Sequence, residues 1–187
     1  MKFYLFARVG LAVVMLALAG CAQGSESAGA KPKAAVVAVA KVAEVKDVQT
    51  FFPLTVGGRE LRVQVVVTLA EMQRGLMGRR DLGADEGMVF VYPVPQRMSF
   101  WMKNTPTPLD IGFFKADGKL GEVYPLYPYD ETAVSSVGMD YTLALEVNQG
   151  WFAKQGLKPG AKLDLAQLAE ALAARGFEPR RYGVGAE

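Results

Sequence analysis

The chain has 187 residues, 51% apolar and 21% charged, enough for one globular domain with extensions. It contains no histidine and a single cysteine, Cys21, which excludes intrachain disulfides, imidazole-based zinc sites, and Ser-His-Asp or Cys-His catalysis. The formal charge of +2 includes Lys2 and Arg8; without them the 21 basic residues fall to 19, matching the 19 acidic ones, which argues against a general nucleic-acid binder.

Residues 1–20 fit a secretory signal. Lys2 and Arg8 form its positive end, and Val9 to Ala19 its apolar run, shorter than the roughly 20 residues a membrane span needs. Leu18-Ala19-Gly20-Cys21 resembles the lipobox of bacterial lipoproteins, in which the cysteine becomes the lipidated first residue. That resemblance implies a cell-envelope protein facing the periplasm and held to a membrane by its N-terminal lipid. Ala22 after the cysteine implies the outer membrane. An ordinary cleaved signal with an incidental cysteine and a short membrane anchor are the alternatives.

Residues 21–50 are expected to form a poorly ordered tether: 23–33 are rich in Gly, Ser, Ala and Lys, and 34–48 in Ala and Val. The domain is expected to start near Phe51. Phe51 to Val56 predicts a strand, Gly57-Gly58 a hairpin turn, and Arg59 to Thr68 the returning strand. Thr68 and Glu71 form a capping-box pattern for a short helix from Leu69 to about Leu76. After a polar loop, Met88 to Tyr92 predicts a buried strand ended by Pro93 and Pro95.

Strands are then predicted over Arg97 to Asn104 and Leu109 to Phe114, with a turn stiffened by Pro106 and Pro108 between them. Asp117-Gly118 turns the chain into a strand over Leu120 to Tyr127. A loop to Ser136 and a strand over Tyr141 to Val147 follow. Next come a short helix over 150–155 and a short strand from Lys162 to Leu165. Ala166 to Arg175 predicts a helix with Leu168, Ala171 and Leu172 as its apolar stripe, and the last residues, Arg180 and Arg181 included, a mobile tail. No internal repeat is present. This order predicts an α+β fold, mainly antiparallel, barrel-like β-sheet with a few short helices. The domain proper is assigned to 51–165, with 166–187 as C-terminal helix and tail.

Three segments stand together: Arg74-Gly75-Leu76-Met77-Gly78-Arg79-Arg80, Gly87-Met88-Val89-Phe90, and Phe100-Trp101-Met102-Lys103-Asn104-Thr105 with Pro108-Leu109-Asp110-Ile111. Their order and spacing resemble the family called domain of unknown function 192 over roughly Leu54 to Leu165. The resemblance implies a compact β-rich domain, often secreted, with no established activity, cofactor or catalytic set. A Gly-Asp pair common near the end of that family is Gly160-Ala161 here.

Candidate ligand-binding residues are Arg79, Arg80, Trp101, Lys103, Asn104, Asp110 and Glu146. Strand alternation would place Trp101 with Lys103, and the proline turn would bring Lys103 or Asn104 toward Asp110. Glu146, mid-strand, needs a partner if buried, and Lys103, Arg79 and Arg80 are the candidates. Each residue also has a structural alternative: internal ion pairs for Lys103, Asp110 and Glu146, a turn cap for Asn104, core packing for Trp101. Met72, Met77, Met88, Met98 and Met102 are read as core filler, with a Cu(I) site as the alternative. No cofactor or metal is assigned, and segment 74–80 lacks the Gly-Lys-Ser/Thr ending of a phosphate loop. The expected function is binding of a small polar ligand or envelope partner without catalysis. The alternatives are an envelope hydrolase using Asp110 and Glu146 as acid and base, and a structural or assembly lipoprotein.

Overall fold

A computed structural model describes residues 44–185, all within one compact unit. The signal segment, Cys21 and most of the tether lie outside the described residues. Among the described residues no helix is long and apolar enough to cross a membrane.

Strands β1 (Phe52–Val56) and β2 (Arg59–Val66) form the first hairpin, with both turn glycines at positive φ. Helix α1 (Leu69–Arg74) starts on the predicted capping box: Thr68 Oγ1 accepts from Glu71 N, and Glu71 Oε2 accepts from Thr68 N. Strand β3 (Glu86–Gln96) is the longest. It does not stop at Pro93 as expected. Its pairing breaks between Val91 and Gln96, so the prolines occupy an irregular, largely exposed stretch where no regular ladder bond is demanded of them.

The predicted strand over 97–104 is another correction. Only β4 (Ser99–Phe100) is extended, paired with β7 (Val134–Ser135). Residues 101–104 turn instead, with Asn104 at φ 54°, a conformation that asparagine tolerates better than most residues. Strands β5 (Leu109–Lys115), β6 (Leu120–Leu126) and β8 (Tyr141–Asn148) complete the main sheet, in the order β1-β2-β3-β8-β5-β6. Only the β2–β3 pair is parallel, so the sheet is mixed. Its hydrogen-bonded ladder does not close, with β1 and β6 as edges. The expected strand over 162–165 is reduced to two isolated bridges, Val56 with Leu163 and Lys119 with Lys162.

Two cores flank the sheet. One joins Val63, Val89, Leu145 and Val147 to Trp151 and Phe152 of α2 (Trp151–Lys154) and to Leu168, Ala171 and Leu172 of α3 (Leu165–Ala174). The predicted apolar stripe of α3 is the buried one, each full burial of a leucine contributing about 1.5–3 kcal/mol. The start of the expected tail is packed on the domain. Pro179–Tyr182 forms a 3-10 turn, and Val184 is buried in this core. The other core joins Met88, Phe90, Ile111 and Phe113 to Leu76, Met98 and Met102. The end of the tether is attached as well: Lys46 N donates to Ala174 O, and Val48 packs on the second core.

Gly87, in the second motif, shows why that motif needs glycine. A Cβ there would lie 2.5 Å from the Glu146 carbonyl oxygen and 2.9 Å from Val147 Cγ1. Both neighbours belong to the central strand and have little room to retreat. Gly87→Ala is therefore expected to cost about 2–3 kcal/mol in urea denaturation. An unchanged midpoint would mean that β3 and β8 can separate locally at no cost.

Candidate functional site

Stretch 100–110 acts first as a junction. Met102 N donates to Asp130 O (2.8 Å), Tyr129 N to Thr105 O (3.1 Å), and Gly78 N to Asn104 O (2.8 Å). Thr107 Oγ1 donates to Arg79 O (2.7 Å). The first motif is thus tied to the 100–110 stretch by one backbone bond and one side-chain bond, which gives both a structural reason for their form.

Strand register separates the two candidate carboxylates. Ile111 pairs with Glu146, and Asp110 pairs with Val147. Directly paired residues point to the same face and neighbours along a strand to opposite faces, so Asp110 and Glu146 project from opposite sides of the sheet. Asp110 is buried and accepts a hydrogen bond from Gly150 N (2.8 Å). Burial raises its pKa, and the Gly150 bond partly offsets that. It holds the chain entering α2 and has neither Lys103 nor Asn104 as a hydrogen-bond or ion-pair partner among the described residues. Asp110 and Glu146 do not form the acid–base pair expected of a hydrolase.

The cations expected near Glu146 are engaged elsewhere. Arg79 donates to Gln64 Oε1 (2.9 Å) and pairs with Asp81 (2.7 Å). Arg80 donates to the Tyr129 hydroxyl (3.2 Å). The Lys103 ammonium lies 5.0 Å from the centre of the Trp101 ring. Trp101 and Lys103 do meet, but across a turn and not by strand alternation. Asn104 is exposed, its carbonyl used by Gly78 and its left-handed backbone setting the turn.

Glu146 is left alone. It is 5% exposed, and burial, with no compensating hydrogen bond or nearby cation, pushes its carboxyl up to about 8. It lines a cleft of about 240 Å³. Phe90, Tyr92, Phe100 and Trp101 supply aromatic walls, Met72 and Met77 adaptable apolar ones. Phe90 and Phe100 meet edge to face at 4.9 Å. Trp101, 48% exposed, stands at the mouth and is not a core residue. Exposed Arg74, at the end of α1, shares the cleft. The Tyr92 phenol is held up in pKa by burial and then by the Glu146 charge, so the two groups sense each other.

The reading from sequence missed Phe90, Tyr92 and Phe100 as lining. The signal was present in β3. Met88, Phe90 and Tyr92 recur every second residue, and Met88 pairs with Glu146, so one strand face runs along the cleft floor. The five methionines divide: Met88, Met98 and Met102 are buried core, and Met72 and Met77 line the cleft. No group of three or more His, Cys, Asp or Glu side chains is placed to hold a metal among the described residues.

A larger cleft, about 450 Å³, lies along β1 and β2. Of its ionisable groups, Arg62 pairs with Glu86 and Asp85 accepts from Trp151 Nε1 (3.0 Å), while the buried Gln167 Oε1 in its lining has no hydrogen-bond partner among the described residues. Volume favours it, and the cleft over Glu146 is preferred because its unpartnered group is an ionisable carboxyl whose pKa burial raises strongly.

The chain is similar to a protein of unknown function from Novosphingobium aromaticivorans DSM 12444, at 39% identity and TM-score 0.58, covering 61% of this chain and 84% of that one. It is also similar to a "putative transcription regulator" from Sinorhizobium meliloti 1021, at 30% identity and TM-score 0.58, covering 62% of this chain and 93% of that one. Among curated proteins, none matches the chain. Residues 52–165 match the family described as "DUF192: Uncharacterized ACR, COG1430". With the three motifs in place on this mixed sheet, the chain belongs to the DUF192 family.

Proposed function

We propose that this is a lipid-anchored cell-envelope protein whose domain holds a small polar ligand in the cleft over Glu146, without chemistry on it. The observation that carries this reading is the unpartnered, buried carboxyl at the floor of an open aromatic cleft. A protein that needed only stability would gain from an apolar residue there. Asp110 is released from the site by this reading, as are Arg79 and Arg80, whose partners are structural. Lys103 and Asn104 stay beside the mouth as supports of Trp101 and the turn. The description of the Sinorhizobium relative as a regulator is not carried over, because 19 basic residues balance 19 acidic ones once Lys2 and Arg8 are removed.

The anchor rests on the apolar run ending at the lone Cys21. Acyl chains contribute roughly 0.8 kcal/mol per buried methylene, and two or more hold a protein stably. Cys21→Ser is expected to move the protein from the outer-membrane fraction to the soluble periplasmic fraction. Unchanged partitioning into detergent would refute lipidation. We also read the sheet as barrel-like in outline, supported by residues 160–164, which hydrogen-bond both to the end of β1 and to the start of β6.

The cleft reading has its own test. Methyl-labelled methionine in the intact mature protein gives reporters at Met72 and Met77, with Met98 and Met102 as buried controls. Small molecules that bind should shift the first two methyls and leave the controls. A broad fragment set that shifts neither would contradict a binding function.

A further inference from the structure

We infer that the cleft over Glu146 is built for an organic cation, an ammonium group seated between the Glu146 carboxylate and the surrounding aromatic rings. This rests on the proposed binding function and names its ligand class.

Glu146 is buried, lines the cleft, and neither accepts a side-chain hydrogen bond nor pairs with a cation among the described residues. In the free cleft protonation relieves the desolvation penalty of the carboxylate, and a bound ammonium is the partner that lets the ionised form persist there. A neutral ligand gains only a hydrogen bond with the protonated carboxyl, and an anion gains no opposite charge.

The walls point the same way. The faces of Phe, Tyr and Trp rings carry negative charge density and attract cations. Phe90, Tyr92, Phe100 and Trp101 surround the cavity. The Trp101 ring already attracts one ammonium, that of Lys103 at 5.0 Å. That contact shows that this ring's position suits a cation. Arg74 is exposed, so solvent screens its charge at the mouth. Tyr92 is the other titratable group facing Glu146, and its phenol stays neutral at ordinary pH because its pKa is raised. The cleft's size, just below the usual range of small-molecule sites, fits a small amine better than a polymer.

The proton balance is simple. Near neutral pH the free cleft holds a protonated carboxyl, and binding an ammonium releases that proton to solvent. No bond to the ligand is made or broken.

Three probes of similar shape separate the possibilities in the intact mature protein: phenethylammonium, phenethyl alcohol and 3-phenylpropionate. Binding is read by the Met72 and Met77 methyls. Phenethylammonium is expected to bind at least about tenfold more tightly than the alcohol, with the carboxylate weakest. Glu146→Gln keeps the side-chain shape and should erase that preference. Equal or tighter binding of the alcohol or the carboxylate, or a preference that survives Glu146→Gln, overturns the cation inference and leaves the binding cleft standing. Failure of all three to move either methyl overturns both.

Discussion

Replacing Glu146 by glutamine is expected to stabilise the protein at pH 8 by about 3–5 kcal/mol and to leave its stability near pH 4 almost unchanged. The sign follows from the raised pKa. Below pH 4.5 the carboxyl is protonated in both folded and unfolded chains, so burial costs little. As pH rises, the unfolded chain ionises first, near its ordinary 4.5, while the folded chain keeps its proton up to about 8. The folded state then binds more protons, and stability falls across that window. Each unit of displacement corresponds to about 1.4 kcal/mol, which sets the size. Glutamine does not titrate, so the fall from this position disappears. Urea denaturation of both proteins at pH 4, 6 and 8 checks it: the gap between them must widen with pH. A constant gap would mean that Glu146 finds a partner in solution. Few substitutions stabilise a protein this much, and those that do remove a feature kept for function.

Removing the Glu122 carboxylate should do the opposite. Glu122 accepts from Val137 N (2.8 Å), Gly138 N (2.8 Å), Tyr141 Oη (2.7 Å) and Tyr124 Oη (2.7 Å). Burial pushes its pKa up, but these four donors win and hold it at about 2. They tie loop 136–138 to β6 and to the start of β8. A depressed pKa contributes stability that is present above the ordinary carboxylate value and lost as pH falls from about 4.5 toward 2. Glu122→Gln is expected to cost about 2 kcal/mol at pH 7 and much less at pH 2.5, since the amide keeps one acceptor and loses the charge. A cost that does not shrink in acid would assign it to packing. Of these two contributions, Glu146 lowers stability as pH rises above about 4.5 and Glu122 lowers it as pH falls below that value.

The contrast between these residues explains what was legible in the sequence. Features governed by neighbours along the chain could be read: the Thr68–Glu71 capping box, the Gly57-Gly58 hairpin, and the Leu168-Ala171-Leu172 stripe. The motif order pointed to the family and to the importance of 100–110. Features governed by register could not be read. Asp110 and Glu146 looked like a pair until strand pairing set Ile111, not Asp110, opposite Glu146. Arg79 looked free for a ligand until Gln64 and Asp81 took its donors. Glu122 carried no sequence signal because its four partners come from β6, the 136–138 loop and Tyr141. The 97–104 stretch was misread because its strand-like pattern of bulky residues is overridden by the Asn104 turn and by bonds to Asp130 and Tyr129.

The central claim is that Glu146 is an uncompensated carboxyl facing the cleft. Carbon-13 titration of the Glu146 carboxyl by NMR in the intact mature protein tests it most directly. The account predicts a midpoint near 8 in the free protein, falling when an ammonium ligand occupies the cleft. A midpoint between 4 and 5 in the free protein would contradict it.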